Sequence, residues 1–247
     1  LPDKYGNRLI DAWLASQGRS PGSMNPVERL CYTGSRGMGA LEFKPTIKGA
    51  PSKSHKLEIK ALVDLANRVL DERISLEGKF AGRDDQRAIE DILRVGTSAG
   101  GARAKAVLAW NAETGEFRSD QAPVSKGFSH WVMKFDGVHG NRDKELADPQ
   151  GFGRIEYAYS LMAKDAGILM EECRLHEEGG RAHFMTRRFD RTDKGTKLHM
   201  QSLGAMRHFD YNQAGAYAYE QAIETIQMLS LPADDIEQQV RRTYFNI

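Results

Sequence analysis

The sequence predicts an α+β fold in which a strand-rich lobe leads into an all-helical one, and three observations carry that prediction. A glycine-rich stretch, Gly96-Thr-Ser-Ala-Gly-Gly101, opens onto a run at 104–110 with β-type composition. Further strand-like runs at 129–135, 171–177 and 181–188 follow it, the last two flanking the turn Glu178-Gly-Gly180. Everything after about residue 198 has helical spacing instead.

Residues 5–17 place Leu9, Ile10, Trp13 and Leu14 on one helical face, and Gly18 to Gly22 break that helix. A second short helix around 26–30 is expected to lead through a turn-rich link, Tyr32 to Phe43, into a strand. The prolines, glycine and serines of 45–54 read as a linker. Helices follow at about 55–72, aligning Ile59, Leu62, Ala66 and Val69, and at about 85–93. Ala104–Trp110 and Glu116–Arg118 are expected to pair across 111–115. In 129–135, Trp131, Met133 and Phe135 share one face, and His130, Val132 and Lys134 the other.

Residues 138–152 are polar and loop-like, and 153–167 form an amphipathic helix expected to bury Ile155, Ala158, Leu161 and Met162, with Glu156 in its first turn. The remaining helices are expected over 198–206, 214–229 and 235–245, with Pro232, Asp234 and Glu237 opening the last like a capping box. The division is a partial helical subdomain (1–50), a strand-rich lobe with leading helices (51–190) and the start of a helical lobe (191–247).

Bulk composition narrows the function. Thirty-five Lys and Arg balance 34 Asp and Glu, so no global basic field drives non-specific nucleic-acid binding. The two cysteines, Cys31 and Cys173, form no C-x-x-C; a disulfide scaffold or zinc site is not expected, and a reducing cytoplasm suits them. No H-E-x-x-H occurs, and His176-Glu-Glu lacks a second ligand at helical spacing. No apolar run approaches the roughly 18 residues of a membrane span. The chain opens at Leu1 without a signal peptide and closes on an uncapped apolar segment, so both ends are expected to be cut.

The glycine-rich stretch has two readings. It is simply a turn, or its backbone amides face one concave point and suit an anion. Gly96 and Gly101 have the spacing of a phosphate loop, but Ala102 stands where its lysine belongs, so that motif fails. Lys134, flanked by apolar neighbours on a strand, is costly unless its ammonium is paired, faces a ligand or snorkels to water. A phosphate cradle with Lys134 as its cation and Glu156 as the partner of Lys134 accounts for all these residues. Glycine loop, lysine strand, glutamate helix, two strands, link and helices is the order of a protein-kinase N-lobe entering its C-lobe.

Taken together, the segments resemble the HipA-like serine/threonine kinases, toxins of type II toxin–antitoxin systems. The resemblance rests on Leu1 to Arg8, Asn25 to Leu30, Gly37 to Phe43, Gly96 to Lys105, Trp131 to Phe135, Ile155 to Tyr159, Arg188-Phe-Asp-Arg191 and Leu198 to Leu203, in the family's order. It implies a two-lobed kinase-like fold with an incomplete C-lobe. ATP phosphates would lie against Ser98, Ala99, Gly100, Gly101, Ala102 and Arg103, with Lys134 pairing the α/β-phosphates and Glu156 holding Lys134. Ser98 would be the autophosphorylated loop serine, and Phe189 would lie at the hinge near adenine. Arg187 departs from the glutamate that some members carry there.

By the same resemblance the catalytic loop and the Mg ligands would begin only after Asn246, so this stretch would bind nucleotide without transferring phosphate. His208-Phe-Asp-Tyr-Asn212 has the wrong spacing for the catalytic loop, and Phe135-Asp-Gly137 lies in the wrong lobe for the metal-binding motif. The implied cofactors are ATP and Mg. The implied partners are a small DNA-binding antitoxin of the HipB type, which would make the DNA contacts, and a protein substrate such as an aminoacyl-tRNA synthetase. The rival expectations are a pseudokinase-like module that docks an antitoxin and a small-molecule kinase on the same lobe.

Overall fold

Helical caps and apolar stripes set the first elements. In the computed structural model, which describes residues 2–47, 54, 56–70, 83–97, 100–120, 126–138, 150–192, 194–210 and 212–247, α1 spans Lys4–Ser16 and buries Tyr5, Leu9, Ile10, Trp13 and Leu14. Asp3 is its N-cap. The next helix, α2 (Pro26–Thr33), starts in a reciprocal box: Glu28 N–H donates to Asn25 Oδ1 at 3.0 Å, and Asn25 N–H donates to Glu28 Oε2 at 2.7 Å. The link that follows it does not become a strand. Helices α3 (Ile59–Leu70) and α4 (Arg83–Gly96) present Ile59, Leu62, Ala66, Ile92 and Leu93 to the interior.

The glycine-rich turn therefore joins a helix to a strand rather than two strands. From it run β1 (Lys105–Asn111), β2 (Phe117–Ser119) and β3 (Phe128–Lys134); after α5 (Phe152–Asp165) come β4 (Cys173–Glu178) and β5 (Arg181–Arg187). The five strands form one antiparallel sheet in the order β2-β1-β3-β5-β4. Ala106, Leu108, Trp131, Met133 and Met185 pack one face onto α1, α3 and α4 in a single apolar core. Register puts Lys105, Val107, Lys134, Val132, Phe184 and Thr186 on the opposite face.

Helix α5 lies against β4 and β5, but not on the side its apolar residues predict. Gly153, Ser160 and Ala163 are buried, while Ile155, Leu161 and Met162 are 51, 46 and 53 % exposed. Small residues win the contact because the backbones nearly touch: a Cβ on Gly153 would lie 1.9 Å from the Ala182 carbonyl oxygen. Ala158 is exposed as well.

The helical part is also shorter than its spacing suggests: α6 (Leu203–Arg207), α7 (Tyr219–Met228) and α8 (Ala233–Phe245). Leu198 is held extended by its N–H bond to the Asp190 carbonyl, 3.0 Å, and cannot start a helix. At the start of α8, Pro232 occupies the cap position with no side-chain bond, so the expected capping box is absent. Gln238, Arg241 and Arg242 of α8 donate to the carbonyls of Gly167, Ala166 and Leu169 beyond α5. No described helix is long and apolar enough to cross a membrane.

Candidate nucleotide site

The turn after α4 is held from three sides. Thr97 Oγ1 donates to Leu93 O at 2.7 Å and ends the helix. Gly101 has φ +100, open only to glycine at low cost, and a Cβ there would lie 2.6 Å from Lys105 Nζ. Lys105 Nζ donates to the Gly100 carbonyl. From α1, Tyr5 N–H donates to Gly101 O at 3.2 Å, and Asp3 Oδ2 accepts the Gly101 N–H at 2.8 Å. One amide of the expected cradle is thus already given to a carboxylate of the protein itself.

Lys134 is the last residue of β3, opposite Lys105 in register, which brings it to the turn end of the sheet. Its Nζ donates to Glu156 Oε2 at 2.7 Å and lies 5.7 Å from the Phe184 ring centre. Glu156 Oε1 stands 3.8 Å from Arg103 NH1, and the Arg103 guanidinium lies 4.6 Å over the Phe152 ring. Lys134 and Glu156 keep 39 and 24 % exposure, enough for the pair to meet an arriving anion. Because α5 starts at Phe152, Glu156 sits in its second turn, not its first. The helix dipole fades beyond the first turn, which leaves the ion pair as the reason for this carboxylate.

Of the expected site residues, Gly100, Gly101, Ala102, Arg103, Lys134 and Glu156 come together at this end; Ser98 and Ala99 lie outside the described residues. Phe189 lies past the far end of β5, 57 % exposed. With Arg187, Leu169, Met170, Glu172 and Arg242 it lines a groove of about 480 Å³. From Phe184, beside Lys134, the strand runs about 10 Å to Arg187 at ~3.3 Å per residue.

Sequence reasoning missed the polar network behind Phe189. Arg188 donates from Nε to Asp190 Oδ1 at 2.8 Å and from NH2 to Asp190 Oδ2 at 2.6 Å, and also pairs with Asp120. Asp120 in turn pairs with His130. Arg191 NH1 and the Gly39 N–H donate to Asp190 Oδ2 at 2.8 and 2.6 Å. Burial pushes the Asp190 carboxyl up, but its bonds to Arg188 and Gly39 and the charges of Arg188 and Arg191 outweigh that and hold it at about 2. The signal for such a knot was the alternating charge of Arg188-Phe-Asp-Arg191; its partners lie too far away in sequence to be seen.

Backbone amides, two cations and a retained carboxylate suit a polyphosphate. They do not suit a metal: among the described residues no group of three or more His, Cys, Asp or Glu could hold an ion. No step through magnesium is assigned to them.

The sequence model of a family described as the HipA-like C-terminal domain matches residues 97–247. Among solved structures, the chain is similar to one from the Shewanella oneidensis MR-1 toxin–antitoxin complex of HipA, HipB and operator DNA, at 15 % identity and a TM-score of 0.50. The match covers 97 % of this chain and 57 % of that one, so this chain spans little more than half of its relative's length; the likeness shows the fold. Compared by sequence with curated proteins, the chain matches none.

Proposed function

We propose, from the premise that this chain belongs to the HipA-like C-terminal domain family, that it forms the nucleotide grip of a serine/threonine protein kinase. The observation that carries the proposal is the 2.7 Å Lys134–Glu156 pair beside Arg103 at the exit of the glycine turn. Glu156 fixes the Lys134 ammonium where it meets the α/β-phosphates; Arg103 adds a second cation. The amides of Ala102 and Arg103 complete the cradle. Val107 and Val132, on the same sheet face, form an apolar floor, and the base reaches Phe189 along β5. ATP, when bound, supplies the γ-phosphoryl group for a hydroxyl of a protein target. The residues described here hold the nucleotide; binding, not transfer, is the activity they support.

The family and the kind of complex seen for the relative support a toxin role with a small DNA-binding antitoxin of the HipB type, through which DNA is contacted. The cytoplasm and a target of the aminoacyl-tRNA synthetase kind belong to the same proposal. So does autophosphorylation of Ser98, detectable by mass spectrometry of the full-length protein after Mg-ATP treatment. A second reading, a non-catalytic module that docks the antitoxin, is favoured by one observation: Gly101 N–H is already bonded to Asp3.

Calorimetry or thermal melting with ATP tests the grip. Ligand at a hundred times its dissociation constant stabilises by about 2.7 kcal/mol, and Lys134→Ala is expected to remove most of that gain. An equal gain in wild type and variant removes Lys134 from the site; no gain in either favours the docking module.

A further inference from the structure

We propose that the Asp3 carboxylate is a built-in competitor for the phosphate site and sets its affinity for nucleotide, an inference that rests on the nucleotide reading above. The carboxylate takes the place an anion would take. Asp3 Oδ2 accepts the Gly101 N–H at 2.8 Å and lies 4.0 Å from where a Cβ of Gly100 would stand, against both turn glycines. Its other oxygen accepts the Lys4 N–H at 2.8 Å. Asp3 therefore caps α1 and occupies the turn at once.

The contact is built into the fold. Tyr5 N–H returns a bond to Gly101 O at 3.2 Å. A Cβ on Gly6 would lie 2.5 Å from the Thr97 carbonyl oxygen, so the first turn of α1 and the glycine turn sit backbone to backbone. The carboxylate is therefore held at the turn rather than visiting it. A phosphate arriving at Ala102 and Arg103 meets a negative charge one residue away and finds one amide spent. It must displace the carboxylate or bind beside it, and both weaken the complex.

Competition and simple anchoring predict opposite signs, and this separates them. Asp3→Asn keeps the shape and an N-cap side chain of equal rank but removes the charge; Asp3→Ser does the same with a smaller group. Competition predicts a lower melting temperature for the free protein together with tighter ATP binding, by about tenfold for every 1.4 kcal/mol of repulsion relieved. Adenosine, which carries no phosphate, should bind all three proteins equally.

Titration calorimetry of wild type, Asp3→Asn and Asp3→Ser with ATP and with adenosine reads both effects. Equal or weaker ATP binding by both variants, with wild type still binding, overturns the competitor and leaves the nucleotide grip standing. A rise shared by adenosine also overturns it, because the phosphates are then not what Asp3 opposes. Absence of ATP binding in wild type and both variants overturns the nucleotide reading and the competitor with it.

Discussion

His183 shows at the scale of one residue how the sheet constrains chemistry. It is 1 % exposed, and its Nδ1 accepts the Asp136 N–H at 2.9 Å, so that nitrogen carries no proton. Burial, followed by the charge of His176 across the strand pair, pushes its pKa down to about 4; Asp136 pulls the other way and Arg181 adds to the fall. The Asp136 carboxylate is itself occupied by the N–H groups of Gly151 and Ala182 at 2.8 and 3.1 Å. Between the unfolded value near 6.5 and the folded value near 4, the unfolded chain takes up a proton that the native chain refuses. Stability contributed by neutral His183 is thus full above pH 6.5 and falls as pH drops through this window, by up to about 3 kcal/mol. Asn at this position keeps a carbonyl acceptor without the titration. Urea midpoints of wild type and His183→Asn at pH 7 and pH 5 are expected to converge at the lower pH; a constant gap would clear His183 of the effect. Nothing in the sequence marked this histidine, because its partner is a main-chain amide on another segment.

At the scale of elements, legibility depended on which residues make the contact. The stripes of α1 and α3 were readable because large apolar side chains face the core: Leu9, Ile10 and Leu14, or Ile59, Leu62 and Ala66. The alternation in β3 was readable too, with Trp131 and Met133 inward and Lys134 outward. Helix α5 was not, since Gly153, Ser160 and Ala163 meet the sheet and hydrophobicity points the wrong way. Even so, Glu156 was found, because a carboxylate one strand and one loop after a stranded lysine is a chemical signal rather than a packing one. The small-residue contact has a testable consequence. Gly153→Ala puts a methyl 1.9 Å from Ala182 O and 3.1 Å from Phe184 N, and both obstacles are backbone. The helix must lift from β5, and Glu156 lifts with it. Denaturation is expected to show a loss of about 1–3 kcal/mol, and the ATP-induced stabilisation should shrink in parallel. A variant with wild-type stability would mean that α5 is free to shift without cost.

For the molecule as a whole, the order of elements was legible and the long-range ties were not. The succession of turn, lysine strand, glutamate helix and hinge could be read along the chain. The bond from Gly39 to Asp190 crosses 151 positions, and that from Arg188 to Asp120 crosses 68. Those ties make Asp190 the junction of the N-terminal segment, the sheet and the link to the helices. Its side chain is fully buried, as are those of Arg188 and Asp120 to within 1 %. Breaking one member of a buried set leaves an uncompensated charge, a cost of about 3–5 kcal/mol, whereas an exposed pair is worth about 0–1 kcal/mol. Asp190→Asn keeps the outline but leaves Arg188 and Arg191 with one negative partner fewer. Lys197→Met, at the partly exposed pair with Glu42 (28 and 43 %), is the matched control. Because the Asp190 carboxyl is held at about 2, below its ordinary range near 3.8, its contribution is complete at neutral pH and disappears only as pH falls from about 4 toward 2. At pH 7 the full difference between the variants is therefore measurable. Asp190→Asn should cost several times more than Lys197→Met in urea denaturation, and hydrogen exchange at the Gly39 amide should quicken, since its acceptor has lost its charge. Equal costs for the two variants would show that the hinge is held by its apolar contacts and that the buried charges merely neutralise one another.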